Sequence, residues 1–117
     1  MIGCMTDETK PSAQVLAFRL TPKEAEKRIR KIALISGRVT VSDDASLEMR
    51  RRDTTYAQCL EVLRAGNVDG DPIQTATGEW QCIMRRPLKD GRILGVVVVL
   101  RAKETLFVRE TELAGRL

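Results

Sequence analysis

The strongest constraint on how this chain can fold is a change of hydrophobic period at Gly66: apolar residues recur at helical spacing before it and at strand spacing after it. Thr21-Pro22-Lys23-Glu24 reads as a helix start. Thr stands at the cap, Pro in the first turn where its missing N–H costs nothing, and Glu24 three residues beyond the cap. The stripe Ala25, Ile29, Ile32, Ala33 and Ser36 predicts a helix to about Ser36, ended by Gly37. Residues 38–41 read as a brief extended connector. Ser42 or Asp43 caps a second helix running to about Arg52, with Ala45 and Met49 inward. Thr54 or Thr55 caps a third, in which Tyr56, Leu60 and Leu63 share one stripe, Cys59 lies beside them and Gly66 closes the helix.

Beyond Gly66, turn residues punctuate the chain at Asp69-Gly70-Asp71-Pro72, Thr77-Gly78 and Lys89-Asp90-Gly91. They divide it into four expected strands, at 68–75, 79–86, 92–101 and 105–109. The third contains Val96-Val97-Val98-Val99-Leu100, apolar on both faces, and is expected to be the most buried. Asp90-Gly91 predicts an antiparallel hairpin between the second and third. The expected class is therefore α+β, with N-terminal helices packed on a four-stranded antiparallel sheet. A length of 117 residues with 43% apolar content allows one core. Residues 1–20 read as a flexible leader and 21–117 as a single domain. With two Phe, one Tyr and one Trp, that core must be aliphatic, and aromatic platforms for stacking bases are not expected.

Chemistry is narrowed most by what is missing. The chain has no histidine, which excludes a histidine general base, a His metal ligand and a Ser-His-Asp or Cys-His pair. Cys4, Cys59 and Cys82 are far apart and odd in number, with no Cys-x-x-Cys spacing, so they read as reduced thiols of a cytoplasmic protein. The longest apolar run, 93–100, is too short to cross a bilayer core of roughly 30 Å as a helix, and no membrane partner is expected. Twenty Lys and Arg against sixteen Asp and Glu leave a net charge of +4, which permits nucleic-acid binding without establishing it.

Several clusters carry candidate chemistry. Arg50, Arg51 and Arg52 are consecutive on the second helix and point about 100° apart, so at most two serve one site. Arg52 follows Glu48 by four residues, the spacing of an intrahelical ion pair. Asp44 and Glu48 share a helix face and Asp43 adds a third carboxylate, but helix-start capping by Asp43 or Asp44 is the simpler reading, and neither metal nor cofactor is assigned. Arg85, Arg86, Lys89 and Arg92 against Asp90 give the hairpin a local charge of +3, attractive to a phosphate backbone. Alternation sends Arg85 and Arg86 to opposite sheet faces. Arg101 and Lys103 extend the basic surface, with solvated edge charges as the plainer account. Tyr56, one turn after Arg52, is either a core residue or a group that positions or protonates a phosphate oxygen. Trp80 reads as core or interface.

Residues 41–109 resemble a small bacterial domain of unknown function, number four-two-five-eight, whose members are similar to RelE-like and barnase-like ribonuclease toxins. The run Ser42-Asp43-Asp44-Ala45-Ser46-Leu47-Glu48-Met49-Arg50-Arg51-Arg52 is similar to that family's Ser-x-His-Ala-x-x-Arg-Met-x-x-Arg. Leu63-Arg64-Ala65-Gly66-Asn67-Val68 resembles its helix ending in Leu-x-x-Gly-x-Val, and Asp90-Gly91-Arg92 its Asp-Gly-Arg hairpin. Two positions depart from the pattern: Asp44 stands where the family carries His, and Glu48 where it carries the first Arg.

The resemblance implies the toxin component of a toxin and antitoxin pair, cleaving RNA such as mRNA without a metal and partnered by an antitoxin protein. Asp44, Glu48, Arg52 and Tyr56 fall at the implied catalytic site, and Arg85, Arg92 and Arg101 at phosphate-binding positions. The two departures imply a catalytically impaired site, because a carboxyl of ordinary pKa is a poor acid–base group at neutral pH and Glu in place of Arg repels phosphate. Catalysis by Glu48 as base with Arg52 stabilising the phosphate stays open. So does a different class of function, a non-catalytic protein-binding module that uses a sheet edge or the basic first helix.

Overall fold

The structure, a computed structural model, describes residues 19–114. Leu20 is buried in the core although it lies within the expected leader; residues 1–18 of that leader, and residues 115–117, lie outside the described residues. Helix α1 spans Pro22–Ala33. The Thr21 hydroxyl accepts from the Glu24 N–H at 3.2 Å and the Glu24 carboxylate accepts from the Thr21 N–H at 3.4 Å, the reciprocal cap anticipated from sequence. The helix stops three residues early. Arg64 donates to the Ala33 carbonyl at 2.7 Å, the exposed Leu34 and Ile35 break the buried stripe, and Ser36–Arg38 form a 3-10 turn that contains Gly37.

Helix α2 spans Asp43–Arg51 and α3 spans Tyr56–Ala65. The cap of α2 is Ser42, whose hydroxyl accepts from the Ala45 N–H at 3.0 Å, so neither Asp43 nor Asp44 is the cap; both sit in the first turn, where the helix dipole favours their charge. At the other end, Asp53 adopts a left-handed φ of 55° while the Thr54 N–H returns to the Met49 carbonyl and the Asp53 N–H to that of Arg50, a Schellman closure. Thr55 caps α3 in a reciprocal pair with Gln58. The inward stripe of α3 is Cys59, Leu60, Val62 and Leu63. Tyr56 is not on it: the ring is 42% exposed and its hydroxyl donates to the Ser36 carbonyl at 3.4 Å.

Among the described residues, six strands replace the four expected: β1 Val39–Val41, β2 Asn67–Val68, β3 Ile73–Gln74, β4 Trp80–Pro87, β5 Ile93–Arg101 and β6 Thr105–Ala114. The order β1-β6-β5-β4-β2, with β3 also on β4, gives a mixed sheet, because β1 runs parallel to β6 while the other pairs are antiparallel. The connector at 38–41 is thus an edge strand, in keeping with the β-branched Val-Thr-Val. The first expected strand splits at Asp69–Pro72, where Gly70 has a φ of 82°. The last runs to Ala114 rather than 109, after a bulge that takes up Arg109 between the Val98↔Val108 and Val97↔Glu110 pairs. The Asp90-Gly91 hairpin forms as expected, with Gly91 at a φ of 91°.

The three helices bury one face of this sheet. Their Ala25, Ile29, Ile32, Ala45, Met49, Cys59, Val62 and Leu63 meet Cys82, Met84, Leu94, Val96, Val98, Leu100, Leu106 and Val108 in one cluster, while Val97 and Val99 are buried on the opposite face, so β5 is buried on both sides. Burial pushes the Cys59 thiol up to about 12 and the Cys82 thiol up to about 11. Both are protonated at neutral pH and neither is a nucleophile. Gly66 marks the tightest junction: a Cβ there would stand 2.5 Å from the Val62 carbonyl oxygen and 2.8 Å from that of Arg85.

Candidate functional site

Four arginines take up carbonyls at the C-terminal ends of the three helices among the described residues. Arg64 holds the end of α1 at Ala33. Arg92 donates to the Arg52 carbonyl at 2.8 Å and the Asp53 carbonyl at 3.4 Å, fastening the β4–β5 hairpin to the end of α2, while its Nε bonds Asp90 at 2.6 Å. Arg30 grips the Gly66 carbonyl through Nε and Nη2 at 3.2 and 2.7 Å, and Arg86 adds a bond to the Ala65 carbonyl at 3.3 Å, together closing α3. A helix end leaves carbonyls without intrahelical donors and carries partial negative charge, so a guanidinium there serves both needs.

The residues expected to hold phosphate are accordingly engaged and scattered. Arg92 is at the hairpin. Arg85 and Arg86 point to opposite faces as alternation requires: Arg86 reaches Glu61 of α3 at 3.1 Å, and Arg85 bridges Asp69 at 2.6 Å and Glu112 at 3.0 Å. The Asp69 hydrogen bond, with Glu112 adding to it and burial opposing, raises the Arg85 guanidinium above its ordinary pKa. Arg101 lies at the far end of β5, its guanidinium 4.1 Å from the centre of the Phe107 ring and 4.0 Å from Glu79. No common surface gathers Arg85, Arg92 and Arg101.

Asp44, Glu48 and Arg52 do meet. They line a hollow of about 540 Å³ between α2 and β6, together with Leu47 and Arg51 of the helix side and Glu110, Thr111, Glu112 and Leu113 of the strand. Helical spacing puts 44, 48 and 52 on one side of α2, and the bulge in β6 sets Glu110 to Leu113 opposite them. Tyr56 is not among the lining residues; its hydroxyl points to the end of α1.

The strand wall of the hollow is acidic, not arginine-lined. The lining holds four carboxylates and two guanidinium groups, and Glu112 is also paired with Arg85 from outside it at 3.0 Å, which leaves a local excess of one negative charge. Both guanidiniums are on Glu48: Arg52 Nε at 3.0 Å and Arg51 at 3.9 Å. Asp44 and Glu110 make no ion pair or side-chain hydrogen bond among the described residues. Thr111 is 6% exposed, and its Oγ1 is buried with no hydrogen-bond partner among the described residues. Among the described residues no group of three His, Cys, Asp or Glu is placed to hold a metal ion, and no helix is long and apolar enough to cross a membrane.

Sequence reasoning found the helix side of this hollow and missed the strand side. The signal was present in Glu110-Thr111-Glu112-Leu113, whose period-two alternation puts Thr111 and Leu113 towards the helices. No family model matches the chain, and no curated protein matches it.

Proposed function

We propose that this chain is a catalytically silent α+β module of the ribonuclease-toxin-like kind, working as a protein-binding module through the hollow between α2 and β6. Helices preceding a sheet of largely antiparallel strands support the architectural part of this reading. The observation that carries the functional part is the charge of the hollow: its four carboxylates outnumber the guanidiniums that reach them, Arg51 and Arg52 on Glu48 and Arg85 on Glu112. An RNA cleavage site must draw in a phosphodiester and stabilise the added negative charge of its transition state. This lining opposes both. Arg30, Arg64, Arg86 and Arg92 are engaged at helix ends instead.

A second reading, an RNA-cleaving toxin with an antitoxin protein as partner, is favoured by the convergence of Asp44, Glu48 and Arg52 on one hollow. In it Glu48 takes the 2′-hydroxyl proton and Arg52 stabilises the phosphate. One experiment separates the two: RNA cleavage by the unaltered chain and by the double variant Asp44→His, Glu48→Arg. A silent parent with an active double variant supports the silent-module reading and its ribonuclease-toxin ancestry. Cleavage by the parent overturns it in favour of the toxin. An inert double variant that keeps the parent's fold removes the ribonuclease element from both.

A further inference from the structure

β1 covers the outer edge of β6 only from Leu106 to Val108, and the Ser42 hydroxyl takes the Arg109 carbonyl at 2.8 Å. Past that point no strand pairs with this edge among the described residues, although β6 continues to Ala114 on its β5 side. The uncovered residues 110–113 are the strand wall of the hollow and extend about 13 Å at roughly 3.3 Å per residue. An open edge offers unpaired N–H and C=O groups to an added strand.

Resting on the reading of the hollow as a protein-binding site, we infer that this edge takes up an extended, lysine- or arginine-bearing segment of a partner protein as an added strand, lying between β6 and α2. Three independent observations specify the occupant. Thr111 lines the hollow, and its hydroxyl is more than nine-tenths buried with no hydrogen-bond partner among the described residues, a lack that a peptide N–H or C=O entering beside it relieves. Asp44 and Glu110 line the hollow from its helix and strand sides and have no ion-pair partner among the described residues, so cationic side chains of the incoming segment match them. Leu47, 46% exposed on the helix side, offers an apolar contact to the aliphatic stem of such a side chain. A second copy of this chain is disfavoured, because pairing β6 with its like would bring Glu110 and Glu112 of both copies together.

The test uses three synthetic hexapeptides titrated into the isotope-labelled full chain: acetyl-Thr-Lys-Val-Lys-Val-Thr-amide, the same peptide with Glu in place of Lys, and the Lys peptide N-methylated at alternate residues. The expected result is saturable amide shifts at 110–113 and along α2 with the Lys peptide. The Glu peptide is expected to bind at least tenfold more weakly, and N-methylation to abolish binding. Asp44→Asn with Glu110→Gln, checked for an otherwise unchanged spectrum, is expected to weaken the Lys peptide about tenfold and to flatten its salt dependence. Equal binding of the Glu peptide at 110–113 overturns the basic-segment inference while leaving the hollow a protein site. Unimpaired binding of the N-methylated peptide overturns strand addition. Absence of shifts at 110–113 with every peptide overturns the inference, as does self-association of the chain through this edge; shifts confined to another surface overturn the reading of the hollow as well.

Discussion

The helix C-termini and the α2–β6 hollow are built from the same residue types, yet they differ in how fully their polar groups are matched. At the helix ends, Arg30, Arg64, Arg86 and Arg92 each meet a carbonyl, and Arg30, Arg86 and Arg92 meet a carboxylate too. In the hollow, two arginines crowd onto one glutamate while Asp44, Glu110 and the Thr111 hydroxyl are left over among the described residues. Matched charge holds a fold together, and unmatched charge in a recess is a surface awaiting something else. The net charge of +4 is therefore a weak guide to partners, since four of the arginines behind it serve carbonyls within the chain.

Substitution at the two regions is expected to act with opposite sign. The largest loss is at Gly66→Ala, where the added methyl meets two backbone oxygens that cannot step aside; about 1–3 kcal/mol of stability is lost in urea denaturation. Arg92→Ala leaves the carbonyl end of α2 without its donor and frees the hairpin, costing about 1–2 kcal/mol by the same measurement. Thr111→Val keeps the shape of the side chain and removes an unpaired hydroxyl, so thermal denaturation is expected to show a gain of up to about 1 kcal/mol. A loss there comparable to that of Arg92→Ala would erase the contrast between the regions. Glu48→Gln has the smallest effect, within about 0.5 kcal/mol, because the pairs it breaks are part-exposed and its charge is surplus to the recess.

Local features of this fold were legible in the sequence wherever they depend on neighbouring residues. The Thr21–Glu24 cap, the Asp90-Gly91 turn, the Glu48–Arg52 pair and the double-sided burial of β5 all follow from short-range spacing. What could not be read is what the fold joins across long separations. Nothing in Val39–Val41 announces that it lies beside Leu106, and nothing in Arg92 announces that it closes α2 rather than binding phosphate. Tyr56 fits the helical spacing of a core residue and still points outward, its hydroxyl reaching the Ser36 carbonyl 20 residues earlier in the chain. The candidate site was half visible for the same reason: the side on α2 is a local pattern, while the side on β6 exists only once the sheet has formed.

The parallel pairing of β1 with β6 also has a meaning in time. The Ser42 hydroxyl and its Arg109 acceptor are 67 residues apart, so at a translation rate of about 5–20 residues per second roughly 3–13 s pass between their synthesis. During that interval the early helices exist without the strand that anchors them, and the growing polypeptide must keep Ala45 and Met49 from sticking elsewhere until its final strand emerges.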